Sequence, residues 1–169
     1  YPIYTVGLNK KGLILPNNKD IELLYVDRGG KITYHGPGQL IIYTLINIKK
    51  HSFNIRQLVT ILEQSVVHLL KQMKVKSFTK KDAPGVYINN SKIASIGLRL
   101  KNGYTYHGLS LNINMDLGPF EKIDPCGLKN ISMAQISDFN GKYNLEKSAE
   151  NIVTFITKNK KYYEKNNSN

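Results

Sequence analysis

The chain has 169 residues, of which 41% are hydrophobic and 21% charged, with a formal net charge of +12. That length suits one domain able to bury roughly two-thirds of its unfolded surface. The apolar content excludes an intrinsically disordered chain, and no apolar run approaches the ~18 residues of a membrane-spanning helix.

A single cysteine, Cys126, excludes an internal disulfide and a cysteine-based structural zinc site. No signal-peptide pattern opens the chain at Tyr1, so a bacterial cytoplasm, or an organelle matrix after processing, is the expected location. Twenty-one lysines carry the charge against three arginines (Arg28, Arg56, Arg99), with eighteen asparagines and no tryptophan. Arginine is the usual reader of bases, and single-strand binders interleave aromatic with basic residues. The composition therefore favours an acidic protein partner, or plain compositional drift, over nucleic acid.

In chain order, residues 21–26 predict a strand stopped by the turn signal Asp27-Arg28-Gly29-Gly30. Residues 40–48, apolar at nearly every position, predict a strand covered on both faces. Ser52 offers an N-cap for a helix over about 53–73, where Ile55, Leu58, Val59, Leu62, Val66, Leu69, Leu70 and Met73 form one apolar stripe. A basic, poorly patterned link over 74–81 leads to the turn Ala83-Pro84-Gly85. Three consecutive strands follow at 86–88, 92–100 and 104–112, with hairpin turns at Asn89-Asn90 and Asn102-Gly103, the latter a type I′ signal. An irregular stretch over 115–128 is long enough to suggest function. A second helix is expected from 145 to about 162. Together these elements define an α+β fold with a mixed, largely antiparallel sheet flanked by helices, in one domain over 1–163 with a disordered tail over 164–169.

Three stretches exceed what a scaffold needs. Arg28-Gly-Gly-Lys-Ile-Thr-Tyr-His-Gly-Pro-Gly-Gln39 holds four glycines and a proline among the polar groups Arg28, Tyr34, His35 and Gln39. It reads equally as tight turns around a short strand and as a backbone that lets a ligand approach closely. In Ser91-Lys-Ile-Ala-Ser-Ile-Gly97, Lys92 opens a strand, where a lysine is usually a solvated edge. In Asp124-Pro-Cys-Gly127 the flanking proline and glycine argue against a core cysteine and for a backbone that presents the thiol. A nucleophilic thiol needs a nearby cation, and Lys92, His35 and His107 are the candidates. His51 and His68 lack such a context.

Taken in order, these motifs resemble the lipoyl(octanoyl) transferases, the octanoyl-[acyl-carrier-protein]:protein N-octanoyltransferases. The likeness runs through Arg28 to Leu40, Asp82-Ala-Pro-Gly-Val-Tyr87, Lys92-Ile-Ala-Ser-Ile-Gly-Leu98, Tyr106-His-Gly-Leu-Ser-Leu-Asn112, Met115-Asp-Leu-Gly-Pro-Phe120 and Ile123-Asp-Pro-Cys-Gly127, covering about residues 25 to 137. The resemblance implies the catalytic-domain fold of biotin and lipoate ligases. It also implies transfer of an octanoyl group from acyl carrier protein to one lysine of a lipoyl domain, the first step of endogenous protein lipoylation. Expected acceptors are the lipoyl domains of 2-oxoacid dehydrogenase complexes and the glycine cleavage H protein. Cys126 then stands at the acyl-thioester nucleophile, with Lys92 lowering its pKa and able to shuttle the proton. Acyl-substrate contacts are implied for Arg28, Gly29, Gly30, Lys31, Ile32, Thr33, Tyr34 and His35, for Ser95, Ile96 and Gly97, and for Gly108, Leu109 and Ser110, with His107 in support. No cofactor or metal is implied, nor nucleic acid or membrane, and a monomer is expected.

Family members carry several tens of residues before the segment at Tyr1, so an initial helix and strand are expected to be absent from this numbering. More glycine would also be expected where Gly127-Leu-Lys-Asn130 follows the cysteine. The competing functions are an ATP-dependent lipoate or biotin ligase of the same fold, a nucleic-acid-binding module, and a catalytically dead relative. The Asp124-Pro-Cys-Gly127 motif weighs against the first, and the shortage of arginine and tryptophan against the second.

Overall fold

The computed structural model describes residues 1–17, 20–51, 54–124, 131–139 and 144–166. Strands β1 (Ile3–Val6), β2 (Glu22–Tyr25) and β3 (Ile32–His35) form a small sheet, β1 lying parallel to β2 and antiparallel to β3. A larger sheet takes β4 (Gln39–Tyr43), β5 (Phe78–Thr79), β6 (Gly85–Ile88), β7 (Ser91–Lys101) and β8 (Tyr104–Asn112) in the order β4-β8-β7-β6-β5, all antiparallel. β8 pairs with β7 only as far as Ala94, and β9 (Ser132–Met133) takes up the vacated side of β7 at Ser91 and Lys92. The α+β class and antiparallel bias follow the sequence pattern, with the strands divided between two sheets. β1, β5 and β9 are the strands that local pattern does not announce, two of them only two residues long.

Helices α1 (Ile55–Gln72) and α2 (Leu145–Asn166) pack on each other and on the larger sheet. The expected stripe of α1 is buried at Leu58, Leu62, Val66, Leu69 and Leu70, against Val86, Ile93, Ala94, Leu109 and Leu111 of the sheet. Each such side chain contributes ~1.5–3 kcal/mol on full burial. The N-cap is Asn54, whose Oδ1 accepts from Gln57 N at 3.0 Å while Gln57 Oε1 accepts from Asn54 N at 2.8 Å. That reciprocal pair starts the helix at Ile55; Ser52, the expected cap, lies outside the described residues. The α2 backbone is helical through Asn166, past the end expected near Tyr162, into the segment from Glu164 read as a tail.

The strand expected over 40–48 is shorter and wetter than its apolar run suggests. β4 ends at Tyr43, which is 63% exposed, and Leu45 is 77% exposed. Leu40, Ile42, Ile46 and Ile48 pack on the core, so only one face of the run is covered. Ile41 and Tyr43 point the other way, toward the small sheet. A second core joins Tyr4, Tyr34 and Phe120, with ring centroids 5.7 Å and 5.3 Å apart. Tyr4 donates to Pro119 O at 2.9 Å. These contacts anchor the irregular stretch from Met115 to Ile123. Pro125 to Asn130, including Cys126, lie outside the described residues. No helix among the described residues is long and apolar enough to cross a membrane.

Candidate active site

Lys92 is fully buried, which the sequence alone would not assign to a strand-opening lysine. Its position follows from a register shift. Val86 pairs with Ala94 but the next residue, Tyr87, pairs with Lys92, leaving Ile93 as the extra residue of a β-bulge. Lys92 therefore shares a sheet face with Ser95 rather than with the α1-facing Ala94. Its Nζ donates to Pro84 O at 3.0 Å and lies 5.4 Å from the centroid of the Tyr87 ring. On the same ring sits Lys80, 4.4 Å from the centroid. Gly85 makes the arrangement possible: at φ 143° it adopts a conformation side chains resist, and a Cβ there would stand 2.5 Å from both Lys92 Cε and Ala94 O. The Asp82-Ala-Pro-Gly85 motif thus supplies a carbonyl for the ammonium and a gap for the stem.

Glu63, buried on α1, holds this turn from behind by accepting from Gly85 N at 2.9 Å. Burial pushes its carboxyl above the usual range, and the Gly85 N–H and the Lys92 charge pull in the opposite direction.

A cavity of about 330 Å³ opens between the two sheets, at the small end of the ~300–1,000 Å³ range for ligand pockets. The small sheet contributes Ile3, Thr5, Leu24, Val26, Thr33 and His35; the large one contributes Ile41, Tyr43, Ser95 to Gly97 and His107 to Ser110. Arg28-Gly29-Gly30 crosses between them, Gly29 N donating to Leu98 O at 3.1 Å. Gly97 allows this crossing, since a Cβ there would lie 3.1 Å from Gly29 O. The Arg28 guanidinium is fixed on Thr5, donating through Nη2 to its carbonyl at 2.7 Å and its Oγ1 at 2.9 Å.

At one end of the cavity His35 Nδ1 lies 2.7 Å from Gln39 Oε1. Gln39 Nε2 donates to Asn112 Oδ1 at 2.9 Å and to Tyr34 O at 3.4 Å, and Asn112 Nδ2 donates to Ala134 O at 3.0 Å. Ala134 N in turn donates to Lys92 O at 3.0 Å. Burial holds the His35 pKa below the ordinary histidine value; the Gln39 bond opposes that shift and the Arg28 charge adds to it. At the other end His107 takes φ 61° within β8, and its Nε2 lies 3.0 Å from Asp27 Oδ1. Tyr106 OH donates to Asp27 Oδ2, and these two hydrogen bonds, Tyr106 first, hold the Asp27 carboxyl below its usual range.

The cavity lining takes in Arg28, Gly29, Gly30, Thr33 and His35, with Ser95, Ile96, Gly97, His107, Gly108, Leu109 and Ser110. It does not take in Lys31, Ile32 or Tyr34, which the resemblance also implies as substrate contacts. Strand alternation explains two of them: Ile32 and Tyr34 project into the second core, opposite to Thr33 and His35. Cys126 is outside the described residues. Its described neighbours are Asp124 and Ile131, and the chain after Ile131 pairs through β9 directly with Lys92. Glu63, Asp27, Thr5 and Asn112 are the site residues that sequence reasoning missed. Asp27 and Asn112 stand inside motifs the sequence marks without giving them a role, and Glu63 left a trace as a carboxylate four residues after Val59 and three before Val66 beside the apolar stripe.

The two-sheet arrangement is the catalytic-domain fold of biotin and lipoate ligases. Biotin protein ligase from Aquifex aeolicus superposes with a TM-score of 0.62 at 21% identity, over 76% of this chain and 55% of that one. The P. falciparum LipL1 structure in complex with lipoate superposes at 0.69 and 19% identity, over 98% of this chain and 48% of that one. Within that class the family is defined by sequence: the lipoyl protein ligase A/B catalytic domain matches residues 2–157, and the chain belongs to this family. The octanoyltransferase of Buchnera aphidicola subsp. Acyrthosiphon pisum is 53% identical over 148 residues, 86% of this chain and 69% of that protein.

Proposed function

We propose that this chain is an acyltransferase moving an octanoyl group from an acyl carrier protein thioester to a lysine of a lipoyl domain, through a thioester on Cys126. The observation that carries the reading is Lys92: a buried ammonium on the cavity-facing side of β7, paired through β9 with the segment that follows the cysteine. A cation kept dry there favours a thiolate over a thiol. The likeness to octanoyltransferases supports transfer of an octanoyl group.

In the first step the thiolate attacks the carrier thioester, the new C–S bond replaces the old one, and the carrier leaves as a thiolate that takes its proton from solvent. In the second the neutral amine of the target lysine attacks the Cys126 thioester, and sulfur leaves as thiolate beside the Lys92 ammonium. The donor is already activated, so no ATP is consumed. Apolar walls from Ile3, Leu24, Val26, Ile41 and Leu109 suit an alkyl chain. At ~0.8 kcal/mol per buried CH₂, octanoyl is favoured over butanoyl by roughly 3 kcal/mol. The net charge of +12 suits acidic partner proteins and raises their encounter rate. One catalytic domain over residues 1–163, acting as a monomer in the cytoplasm, completes the reading.

Intact-mass spectrometry after mixing with octanoyl-carrier protein tests it. One octanoyl mass should appear, be released by hydroxylamine, and be absent from Cys126→Ser. Transfer by Cys126→Ser at the unsubstituted rate, or activity with free octanoate only on adding ATP, would overturn it.

A further inference from the structure

Aminolysis of a thioester produces a proton that must leave the attacking nitrogen, and an ammonium that stabilises departing sulfur is poorly suited to receive it. Resting on the thioester reading above, we infer that His35 is the proton acceptor of the second half-reaction, presented as a bare Nε2 by a directional chain of hydrogen bonds through Gln39 and Asn112.

The direction of that chain is set by backbone carbonyls, which can only accept. Ala134 O lies 3.0 Å from the Asn112 side chain, so the atom facing it is the amide nitrogen and the other is Oδ1. Gln39 must then donate to Oδ1, as it also does to Tyr34 O, and its remaining atom is the oxygen Oε1. An oxygen 2.7 Å from His35 Nδ1 requires Nδ1 to carry the hydrogen. In the neutral ring Nε2 therefore holds a lone pair. No described residue engages it, and the ring lines the cavity.

Burial and the positive charge of Arg28, the charged group facing the ring among the described residues, both keep it neutral at physiological pH. The relay links His35 to the β7 backbone at Lys92, because Ala134, its terminus, also donates to the Lys92 main-chain carbonyl.

The step balances without a co-reactant. A C–N bond forms between the lysine nitrogen and the acyl carbon, the C–S bond breaks with its electron pair on sulfur, and the amine proton passes to Nε2. The imidazolium so formed returns that proton to solvent.

His35→Asn is the diagnostic variant, because its amide nitrogen can replace Nδ1 as donor to Gln39 while nothing replaces Nε2. Acyl-enzyme formation and its discharge onto a lipoyl domain are measured separately by quenched intact-mass spectrometry from pH 5.5 to 9. Discharge should fall about 10²-fold, at least tenfold more than acylation, and its pH profile should lose the extra acidic limb that His35 adds to that of the target lysine's own amine. Gln39→Glu, which faces Nδ1–H with a carboxylate, should move that limb to higher pH in an otherwise intact His35 protein. Equal loss in both half-reactions, or a discharge profile whose shape with pH is the same in His35→Asn as in the parent, overturns the assignment while leaving the thioester intact. Failure of the unsubstituted protein to take up acyl mass overturns both.

Discussion

His35 and His107 line the same cavity from opposite ends, and their surroundings give one side chain two different characters. At the Lys92 end His35 is half-buried, locked through Nδ1 onto Gln39 and kept neutral. At the far end His107 sits on a backbone at φ 61° beside the exposed carboxylate of Asp27. Gln39 pairs with Asn112 and Tyr43 with Gly108, so the ends are four residues apart along β8, roughly 13 Å at ~3.3 Å per residue. The chain of side chains at the first end terminates on the backbone carbonyls of Tyr34 and Ala134, while Asp27 at the second is held chiefly by the side chains of Tyr106 and His107. The lesson is a division of labour, with rigid chemistry at one end and an adaptable boundary for the acyl chain at the other.

Breaking the rigid end should have the largest effect. Lys92→Met keeps the stem and removes the charge; transfer is expected to fall about 10²- to 10³-fold. Iodoacetamide labelling of Cys126 should then titrate near the ~8.5 of a free thiol, whereas the unsubstituted protein should react at lower pH. Identical labelling profiles would remove Lys92 from the chemistry. Gly85→Ala comes next: its Cβ would meet Ala94 O and Lys92 Cε at 2.5 Å on a backbone at φ 143°. A loss of about 1–3 kcal/mol in chemical denaturation is expected, together with reduced transfer. A variant as stable and as active as the parent would mean that the close fit around Lys92 is dispensable.

How far this asymmetry could be read from sequence depends on the range of the forces behind it. The stripe on α1 and the β7–β8 hairpin, with Asn102 and Gly103 at φ 53° and 86°, are local and were legible. The apolar run over 40–48 misled, because one of its faces turns to a cavity and the sequence does not distinguish a ligand-lined face from a protein-lined one. Lys92 looked like an edge residue by position; its burial comes from the bulge at Ile93 and from Pro84, eight residues away. The relay from His35 to Ala134 crosses from the small sheet to the segment after β9, and no local pattern announces it. Glycines and the histidines were visible as residue types, but the partners that assign each its state come from distant segments.

Loosening the far end should have a smaller effect, and on selectivity rather than rate. His107→Ala removes the ring beside Tyr43 and releases Asp27, lengthening the space available to an alkyl chain. Burial of each added CH₂ is worth ~0.8 kcal/mol, so the ratio of decanoyl to octanoyl transfer should rise by up to about fifteenfold. Competition between the two carrier thioesters measures it directly. An unchanged ratio with a slower rate for both would move His107 from the boundary of the chain to the reacting end.

The smallest expected effect separates the two ends by pH. The His35 pKa is depressed from the ordinary 6.5, so below that value the unfolded chain binds a proton that the folded chain declines. Stability from this group is complete above pH 6.5 and declines as pH falls toward the folded value, beneath which it changes no further. Asp27 is depressed from 3.8, so its contribution is complete above that pH and is lost only as acidity passes below it. Denaturation midpoints of His35→Asn and Asp27→Asn, each compared with the parent at pH 7.5, 5 and 3, should diverge in these two windows. The gap for His35→Asn should change between the first pair of conditions and that for Asp27→Asn between the second pair. If the His35→Asn gap is constant from pH 7.5 to 5, the ring protonates as readily in the folded chain as in the unfolded one. The desolvation of that ring would then have no electrostatic consequence.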